Sequence, residues 1–364
     1  MAKFQINQEI ASAETISKEI YTDSGLFETV KEKIFAPSWQ LIGDSDQFSA
    51  TQNLIPHTIL ENFLDEPVLL SKDKNGTIHC ISNVCTHRGK ILIENPCSAN
   101  GIKCGYHGRR FGLDGGFLSM PEFETVENFP SPSDHLPNIP FHQWQNFLFA
   151  SVNPKHKAES FLDDMKNRID WMPFDQLKFN PELSRDYEMK ANWALYVENY
   201  LEGFHIPFVH SGLNAVIDYE NYSTELFRFS NLQLGTSKEK ENCFNLPETS
   251  TDFGKNIGGY YFWIFPNMMF NIYPWGISVN VVKPLSVDRT KVSFLVYVWD
   301  ETKLEKGAGS NLHTVEMEDE AVVESVQKGV RSRFYKHGRY SATRETGTHH
   351  FHRLIAEFLS EGRP

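Results

Sequence analysis

The sequence has little cysteine and no long hydrophobic run, and each shortage excludes a class of protein. Five cysteines among 364 residues are few, and an odd number does not suit a disulfide framework. No apolar stretch approaches the length of a membrane span. The opening residues, MAKFQINQEI, do not resemble a signal peptide. We therefore expect a cytoplasmic protein without a membrane segment.

The sequence also has fewer basic than acidic residues. Lys and Arg total 35 against 47 Asp and Glu, which gives a formal net charge of -12. This balance argues against nucleic acid or an anionic membrane as the main partner, although a basic patch on one face is compatible with it. With 40% hydrophobic and 23% charged residues, the chain can bury one large core or two smaller ones.

The residue pattern divides the chain into three parts. Residues 1–36 contain apolar residues at near-helical spacing and predict a helical segment that packs on a catalytic domain. In residues 37–155, short β-like runs alternate with Gly, Asn, Asp and Pro clusters, which is typical of a small all-β domain. Residues 156–364 combine three long strand candidates with helix candidates at about 158–172, 191–204, 314–335 and 349–359. Because these do not alternate as βαβ units, we predict an α+β domain around an antiparallel sheet.

The stretch CTHRGKILIENPCSANGIKCGYHGRRF, residues 85–111, contains two Cys/His pairs. Cys85 and His87 form the first pair, and Cys104 and His107 form the second. Structural zinc, the alternative, usually takes two cysteines from one loop. One Cys and one His from each loop instead suit a two-iron, two-sulfur cluster, in which one iron takes both thiolates and the other both imidazoles. The spacing therefore favours a Rieske cluster, and the other three cysteines are interpreted as buried or incidental thiols.

A second metal site is predicted by NWALYVENYLEGFHIPFVH, residues 192–210. If this stretch is helical, Glu198, Glu202 and His205 share one face. Pro207 then ends the helix, so His210 arrives from the turn beyond and can converge with His205. Two histidines and a carboxylate on one face of an iron ion leave the other face open for O2 and substrate. The alternative is a pair of hydrogen-bonded core histidines.

The third ligand must come from elsewhere, and the late helix VEMEDEAVVESVQKGVRSRF offers one. Its apolar stripe consists of Val322, Val323, Val326 and Val330. Asp319 lies within about 20° of the last two of these residues, whereas Glu318 points well away. An inward acid is costly unless it is paired or bound to a metal. The pattern predicts Asp319 as the third ligand, with Glu316 in reserve.

The motifs CTHRG and CGYHGRRF resemble the cluster motif of the Rieske non-haem iron oxygenases, catalytic alpha subunit. The resemblance covers about residues 38–360. One departure is Arg109–Arg110, because many members have Trp after YHG. The resemblance implies an N-terminal all-β Rieske [2Fe-2S] domain and a C-terminal helix-grip catalytic domain with an antiparallel sheet and a long helix. It also agrees with Asp319, since the ligand aspartate of the family lies in an ED pair on this helix.

The resemblance implies a role for Glu202 as well. In the family, a carboxylate just before the first His connects it to a cluster histidine of the neighbouring subunit in a homotrimer. Many ring-hydroxylating members have Asp there, and a Glu within LEGFH resembles carnitine and choline monooxygenases. Asn199 is expected to orient this region, while Glu198 is either a partner of the site or a solvated charge. His349, His350 and His352 are interpreted as surface or packing residues.

The implied chemistry is the reductive activation of O2 at a mononuclear Fe(II), with hydroxylation of a small organic substrate. No Gly-rich dinucleotide fingerprint follows a strand candidate. Electrons from NAD(P)H are therefore expected to arrive through a separate reductase or ferredoxin. Monooxygenation of a quaternary ammonium or similar small substrate and ring hydroxylation both stay open. Aromatics of residues 260–276 would line the pocket and hold a trimethylammonium group or an arene, or form ordinary core. The alternative function is a Rieske electron carrier without oxygenase activity.

Overall fold

The computed structural model describes residues 4–238, 242–304, 306–309 and 312–360. The ends of the predicted N-terminal segment and of the predicted catalytic domain, residues 1–3 and 361–364, lie outside the described residues. The chain divides into two compact units. Ala36–Lys155 form one unit, and Met1–Phe35 together with His156–Pro364 form the other.

Helices occur in the second of these units. In chain order, helices α1 to α8 are Glu19–Thr22, Ser24–Val30, Glu159–Ile169, Trp193–Tyr200, Ile206–Val209, Ser211–Val216, Leu312–Val330 and Thr346–Ser360. A single π-helical turn, Lys31–Phe35, follows α2. No described helix is long and apolar enough to cross a membrane.

Strands β1 to β9 belong to the first unit and β10 to β17 to the second. The first nine are Gln40–Asp44, Leu54–Ile59, Glu66–Lys72, Ile78–Ser82, Ile102–Lys103, Arg110–Phe111, Phe117–Ser119, Phe141–Trp144 and Phe147–Ala150. The other eight are Lys178–Phe179, Arg185–Met189, Ser223–Leu226, Ser230–Thr236, Ile257–Ile264, Met268–Tyr273, Gly276–Ser286 and Arg289–Val298.

The first unit is all-β, as predicted. Its strands form three small sheets, in the orders β1-β9-β8, β2-β3-β4 and β5-β6-β7, and every pairing is antiparallel. Leu69, Ile81 and Phe111 are fully buried in a core cluster that also includes Cys85 and Cys104. The motif cysteines are therefore fixed to the hydrophobic core rather than carried on free loops.

The second unit is an α+β domain around one large antiparallel sheet, which confirms the predicted fold class. The strand order is β10-β17-β16-β15-β14-β13-β12, and β11 also pairs with β17. The helix α8 packs on this sheet, where Phe351 contacts Trp263 edge-on at 5.3 Å between ring centroids. Phe351 also contacts Trp193 of α4, so one aromatic cluster joins the sheet to two helices.

The inward face of α7 differs from the predicted stripe. Its buried residues are Glu316, Val323, Gln327 and Val330, whose spacings of seven, four and three residues place them on one helical face. The prediction was wrong for Val326, which is 42% exposed. The helix is rotated relative to the predicted stripe because it packs with polar Gln327 inward, and Gln327 accepts a hydrogen bond from the backbone N–H of Asn192.

The helix α4 is shorter than predicted. Asn192 caps it by accepting a hydrogen bond from the N–H of Ala194, and the last helical residue is Tyr200. Beyond it the chain turns at Gly203, where an added Cβ would lie 2.8 Å from the ring of Tyr222. Pro207 does not end this helix. It occupies the first turn of α5, where no amide donor is required.

Asn192→Ala tests how strongly this cap holds the second unit. Asn192 is fully buried, and its Nδ2 also donates to the carbonyl of Val287 at 2.7 Å. Removal leaves a helix donor and a buried acceptor unpaired, which costs roughly 2–3 kcal/mol. We expect a clearly lower midpoint of thermal unfolding, measured by circular dichroism. Asn167→Ala, on the exposed face of α3, should change it little; equal midpoints for the two variants would contradict the assignment.

Candidate metal centres and active-site cavity

The two Cys/His loops share one backbone turn. In the first loop, the N–H of Cys85 donates to Lys90 O at 2.9 Å, and the N–H of Gly89 donates to Cys85 O at 3.0 Å. In the second, Cys104 donates to Arg109 O and Gly108 donates to Cys104 O, at 2.8 and 3.1 Å. Both glycines have positive φ, +70° and +76°, which favours glycine at this position. The same turn therefore presents a Cys and a His from each loop.

The turns bring like ligands together. The thiols of Cys85 and Cys104 are close enough to shift each other's pKa, and the rings of His87 and His107 lie 4.8 Å apart. Burial raises the pKa of Cys104. The N–H groups of Tyr106 and His107 and the thiol of Cys85 outweigh it, so the net pKa is lowered. The pair of thiols thus favours a shared thiolate, the form that binds metal.

One imidazole atom of this site has no protein partner. His107 Nδ1 is buried and accepts or donates no hydrogen bond among the described residues. A buried polar atom of this kind is costly unless something binds it. With two thiols on one side and two imidazoles on the other, the residues present fit a Rieske cluster.

A buried arginine joins the two loops, and the motif alone did not reveal its role. Arg109 is 2% exposed and lies against the rings of Phe111, Phe117 and Phe129. Its Nη2 donates to the carboxylate of Asp134 at 2.6 Å and to the carbonyl of Asp134 at 3.1 Å. Thr86, between the first Cys and His, donates to the same carbonyl at 2.9 Å. Asp134 therefore connects both cluster loops.

The second unit brings His205, His210 and Asp319 together. The two Nε2 atoms lie 3.1 Å apart. Asp319 Oδ1 is 3.0 Å from His210 Nε2 and 3.5 Å from His205 Nε2. The three ligand atoms all lie within 4.8 Å of one another, close enough to hold a single metal ion. Two imidazoles and one carboxylate are the donors that suit non-haem Fe(II).

Each imidazole has a carboxylate beside its Nδ1 atom. His205 Nδ1 lies 2.8 Å from Glu202 Oε1, and His210 Nδ1 lies 2.7 Å from Glu318 Oε2. Because a carboxylate accepts, each Nδ1 carries the proton and each Nε2 is free to bind metal. Burial lowers the pKa of His210, but hydrogen bonds to Asp319 and Glu318 outweigh it and raise the pKa. The site therefore attracts positive charge.

The expected orientation of Glu318 was wrong. The side chain was predicted to point away from the site, yet it contacts His210. His210 lies between α5 and α6, beside α7 rather than beneath its apolar stripe, so both Glu318 and Asp319 reach it.

The single helical face predicted for Glu198, Glu202 and His205 was also wrong, because α4 ends at Tyr200. Glu202 lies in the turn after the helix, where its Oε2 accepts the N–H of His205 at 3.1 Å. Glu198 is one turn away from the site, and its Oε1 lies 3.1 Å from His352 Nε2. Glu198 is therefore neither a ligand partner nor a solvated charge.

The histidines of α8 are buried packing residues. His352 Nδ1 is 2.6 Å from the hydroxyl of Tyr340, and His349 Nε2 is 2.7 Å from the carbonyl of Asn7. Burial lowers the pKa of His350 to about 4, so that imidazole is neutral near pH 7. The contact between His349 and Asn7 joins the C-terminal helix to the N-terminal segment.

A cavity of about 120 Å³ opens onto the triad. Asn199 and Glu202 line it next to the histidines, and Glu316 lines it next to Asp319. The rest of the wall is largely aromatic and amide side chains, namely Tyr196, Tyr200, Tyr222, Tyr261, Tyr273, Phe294, Gln233, Asn271 and Asn280. The residues of the triad thus lie at one side of a cavity whose wall consists largely of aromatic and amide side chains.

The predicted aromatic wall is present in part. Residues 260–276 form two strands, β14 and β15, joined at Phe265–Asn267. Tyr261 and Tyr273 line the cavity and meet at 5.8 Å with their rings nearly perpendicular. Trp263, on the same face of β14 as Tyr261, packs against α8 instead. The cavity lies at one end of these strands, so alternation alone did not separate its lining from the core.

Comparison with known proteins identifies the family. The ring hydroxylating alpha subunit (catalytic domain) family matches residues 176–361, about half of the chain. The Rieske [2Fe-2S] domain family matches residues 38–130. The chain therefore belongs to the ring hydroxylating alpha subunit family, the catalytic subunits of Rieske-type oxygenases. A [2Fe-2S] Rieske cluster and a mononuclear iron are its cofactors, and the predicted oxygenase function is confirmed over that of an electron carrier.

Two curated relatives are similar over nearly the whole chain. Choline monooxygenase, chloroplastic, from Arabidopsis thaliana is 29% identical, over 98% of this chain and 85% of the relative. The carnitine monooxygenase oxygenase subunit of Escherichia coli (strain K12) is 28% identical, over 95% of this chain and 94% of the relative.

Solved structures show the same fold. The quaternary ammonium Rieske monooxygenase CntA aligns with a TM-score of 0.80 and 24% identity, over 98% of this chain and 99% of that chain. A naphthalene 1,2-dioxygenase mutant aligns with a TM-score of 0.74 and 18% identity, over 99% and 96% of the two chains. The fold is therefore shared by mono- and dioxygenases, and it does not by itself distinguish their reactions.

The triad can be separated from the cluster by mutation. His205→Ala and Asp319→Ala should each lower the iron content from about three to about two atoms per chain, because only the mononuclear site loses a donor. Sulfide content and the visible spectrum should not change. His337→Ala, whose side chain is 39% exposed, is the control. Unchanged iron in both triad variants would show that the triad does not bind it.

Proposed function

We propose that this chain is the oxygenase subunit of a monooxygenase that acts on a small quaternary ammonium compound. The observation that carries the proposal is the cavity beside the triad, whose volume is about 120 Å³. A cavity of about 150 Å³ holds a molecule the size of benzene. A trimethylammonium group fits this space, and tyrosine rings around it offer cation–π contacts. Two relatives, a choline monooxygenase and a carnitine monooxygenase, support the same class of substrate.

Ring dihydroxylation is the second candidate. The fold shared with naphthalene 1,2-dioxygenase favours it. The relatives that are similar over nearly the whole chain, choline and carnitine monooxygenases, favour the ammonium substrate instead.

We assign His205, His210 and Asp319 as the iron ligands, and Cys85, His87, Cys104 and His107 as the cluster ligands. Bound there, the two cofactors supply electron storage and the reductive activation of O2. The three iron ligands come from one side, so the cavity side stays open for O2 and substrate.

The carboxylates beside the triad hold protons in defined places. Glu202 keeps the proton of His205 on Nδ1, and Glu318 does the same for His210. As the resemblance implies, Glu202 would also connect His205 to a cluster histidine of a neighbouring subunit. Asn199 lines the cavity beside Glu202 and is assigned the positioning of this region.

The overall reaction takes substrate, O2, two electrons and two protons, and yields a hydroxylated product and water. We propose that NAD(P)H supplies the electrons through a separate reductase or ferredoxin and that the chain assembles as a homotrimer in the cytoplasm. Carnitine oxidation and inter-subunit electron transfer are described for a solved quaternary ammonium Rieske monooxygenase of the same fold.

A single-turnover experiment tests the reaction without the redox partner. The protein is reduced with dithionite, desalted without oxygen and mixed with ¹⁸O2 and choline, carnitine or naphthalene. We expect an ammonium substrate to be consumed and its oxidised product, an aldehyde where the newly hydroxylated carbon already bears oxygen or nitrogen, to appear by mass spectrometry. His205→Ala should give no product. A naphthalene diol containing two ¹⁸O atoms, with both ammonium compounds unchanged, would contradict the proposal.

A further inference from the structure

The sheet carries polar side chains at positions where a buried strand is usually apolar. In β16, Ser278 and Asn280 alternate with Ile277, Val279 and Val281, and all five residues are buried. Alternate residues of a strand share one face of the sheet. Buried polar groups are costly unless they find partners. The hydrogen bonds of this polar face therefore show which groups the cavity leaves free for a ligand.

Three amide side chains of the sheet line the cavity, and two of them are engaged at both ends. Gln233 accepts from the hydroxyl of Tyr222 at 3.2 Å and donates to the carbonyl of Tyr200 at 2.7 Å. Asn271 accepts from the hydroxyl of Tyr200 at 2.9 Å and donates to the carbonyl of Ser278 at 3.2 Å. These two amides hold the wall of the cavity in place.

The third amide, Asn280, is engaged at one end. Its Oδ1 accepts a hydrogen bond from the fully buried hydroxyl of Ser278 at 3.1 Å. This contact fixes the orientation of the amide, because a buried hydroxyl requires an acceptor. Nδ2 donates to none of the described residues, and it is not one of their fully buried atoms that lack a partner. Since Asn280 lines the cavity and is 4% exposed, the accessible surface of Nδ2 lies in that space.

A free amide nitrogen in the cavity requires a hydrogen-bond acceptor. The nitrogen is a donor only, so it suits an oxygen atom of a substrate and not the ammonium group. A donor of this kind is costly when it stays unpaired, and a site built around it rejects compounds that lack the acceptor. Phe294, the neighbour of Asn280 on β17, also lines the cavity and offers no competing acceptor from its side chain.

We infer that Asn280 binds an oxygen atom of the substrate, and that the cavity selects quaternary ammonium compounds with a hydroxyl or carboxylate oxygen over those without one. This inference rests on the proposed function and deepens it by naming a residue that determines specificity. The triad comes from α7 and the turns after α4 and α5, whereas Asn280 comes from the sheet. Asn280 orients the substrate, and the metal site oxidises it.

Two pairs of compounds test for the oxygen. Choline is compared with propyltrimethylammonium, in which a methyl group replaces the hydroxyl. 4-(Trimethylammonio)butanoate is compared with (4-methylpentyl)trimethylammonium, in which an isopropyl group replaces the carboxylate. Calorimetry on the reduced, anaerobic holoenzyme should show the oxygen compound of at least one pair binding about tenfold more tightly or better, because its counterpart leaves Asn280 Nδ2 unpaired.

The pair that shows the preference identifies the oxygen as that of a hydroxyl or a carboxylate. Equal affinities within both pairs would overturn the inference. This comparison needs no variant, so it applies even if a substitution at Asn280 prevents folding.

Asn280→Leu keeps the approximate size of the side chain and removes the donor. The preference for the oxygen compound should fall below about threefold, while affinity for its apolar counterpart should not decrease. Loss of structure alone would weaken both compounds. Ser286→Ala, on the same strand but outside the lining, is the control and should retain the preference. A preference that persists in Asn280→Leu would show that another group, such as the metal, binds the oxygen, and it would overturn the inference.

Failure of the proposed function has a different signature. None of the four compounds would bind and no ammonium compound would be oxidised, which would overturn the inference as well. Failure of the inference alone would leave ammonium oxidation intact, without a preference that depends on Asn280.

Discussion

The metal site of the second unit depends on the imidazoles of His205 and His210 meeting the carboxylate of Asp319. This carboxylate lies 109 positions after His210 in the chain. His205 and His210 lie just after α4, and Asp319 lies within α7. Contacts between these two helices fix their relative position: Asn192 N–H donates to Gln327, and Tyr196 donates to Glu316. A slip of one turn would move the carboxylate by about 5.4 Å and separate the three donors. Buried polar contacts thus set the register that hydrophobic packing alone leaves open.

In the first unit, Ala36–Lys155, a repeated backbone turn holds the cluster ligands in place. Its two loops use one turn, with glycine in the left-handed region at the fifth position of each. The repeated turn places each cysteine on the core side, where both are buried. Arg109 then holds the loops together through Asp134, inside a shell of phenylalanine rings. A buried cation that is paired with a carboxylate and surrounded by aromatic rings supports the loops without an unpaired charge.

Local spacing predicted those parts of the sites that lie close together in sequence. The Cys/His pairs and the His-x4-His pair were visible because each pair occupies a single loop or turn. Asp319 could be predicted because an acid on the inward face of a helix is costly unless it is paired or bound to a metal. The contact of Glu318 with His210 was not predictable, since it depends on where α5 ends beside α7. The length of α4 was also missed, since Glu202 lies in the turn after the helix, where it accepts the N–H of His205, a contact that sequence spacing does not show.

The residues that determine substrate choice were harder to predict from the sequence than the metal ligands. The aromatic run of β14 and β15 suggested a pocket wall, but the sheet divides these residues between the cavity and the core. The set of side chains that lines the cavity belongs to the assembled fold, because helices α4 to α7 and five strands contribute to it. A property of this kind becomes visible when the tertiary structure is known.

The most direct test of the account is the visible spectrum of the purified protein, before and after dithionite, together with its iron, sulfide and zinc contents. The account predicts a red-brown protein that bleaches on reduction and contains acid-labile sulfide and more iron than the cluster alone requires. A colourless protein with stoichiometric zinc and no sulfide, from a preparation kept free of oxygen throughout, would contradict it.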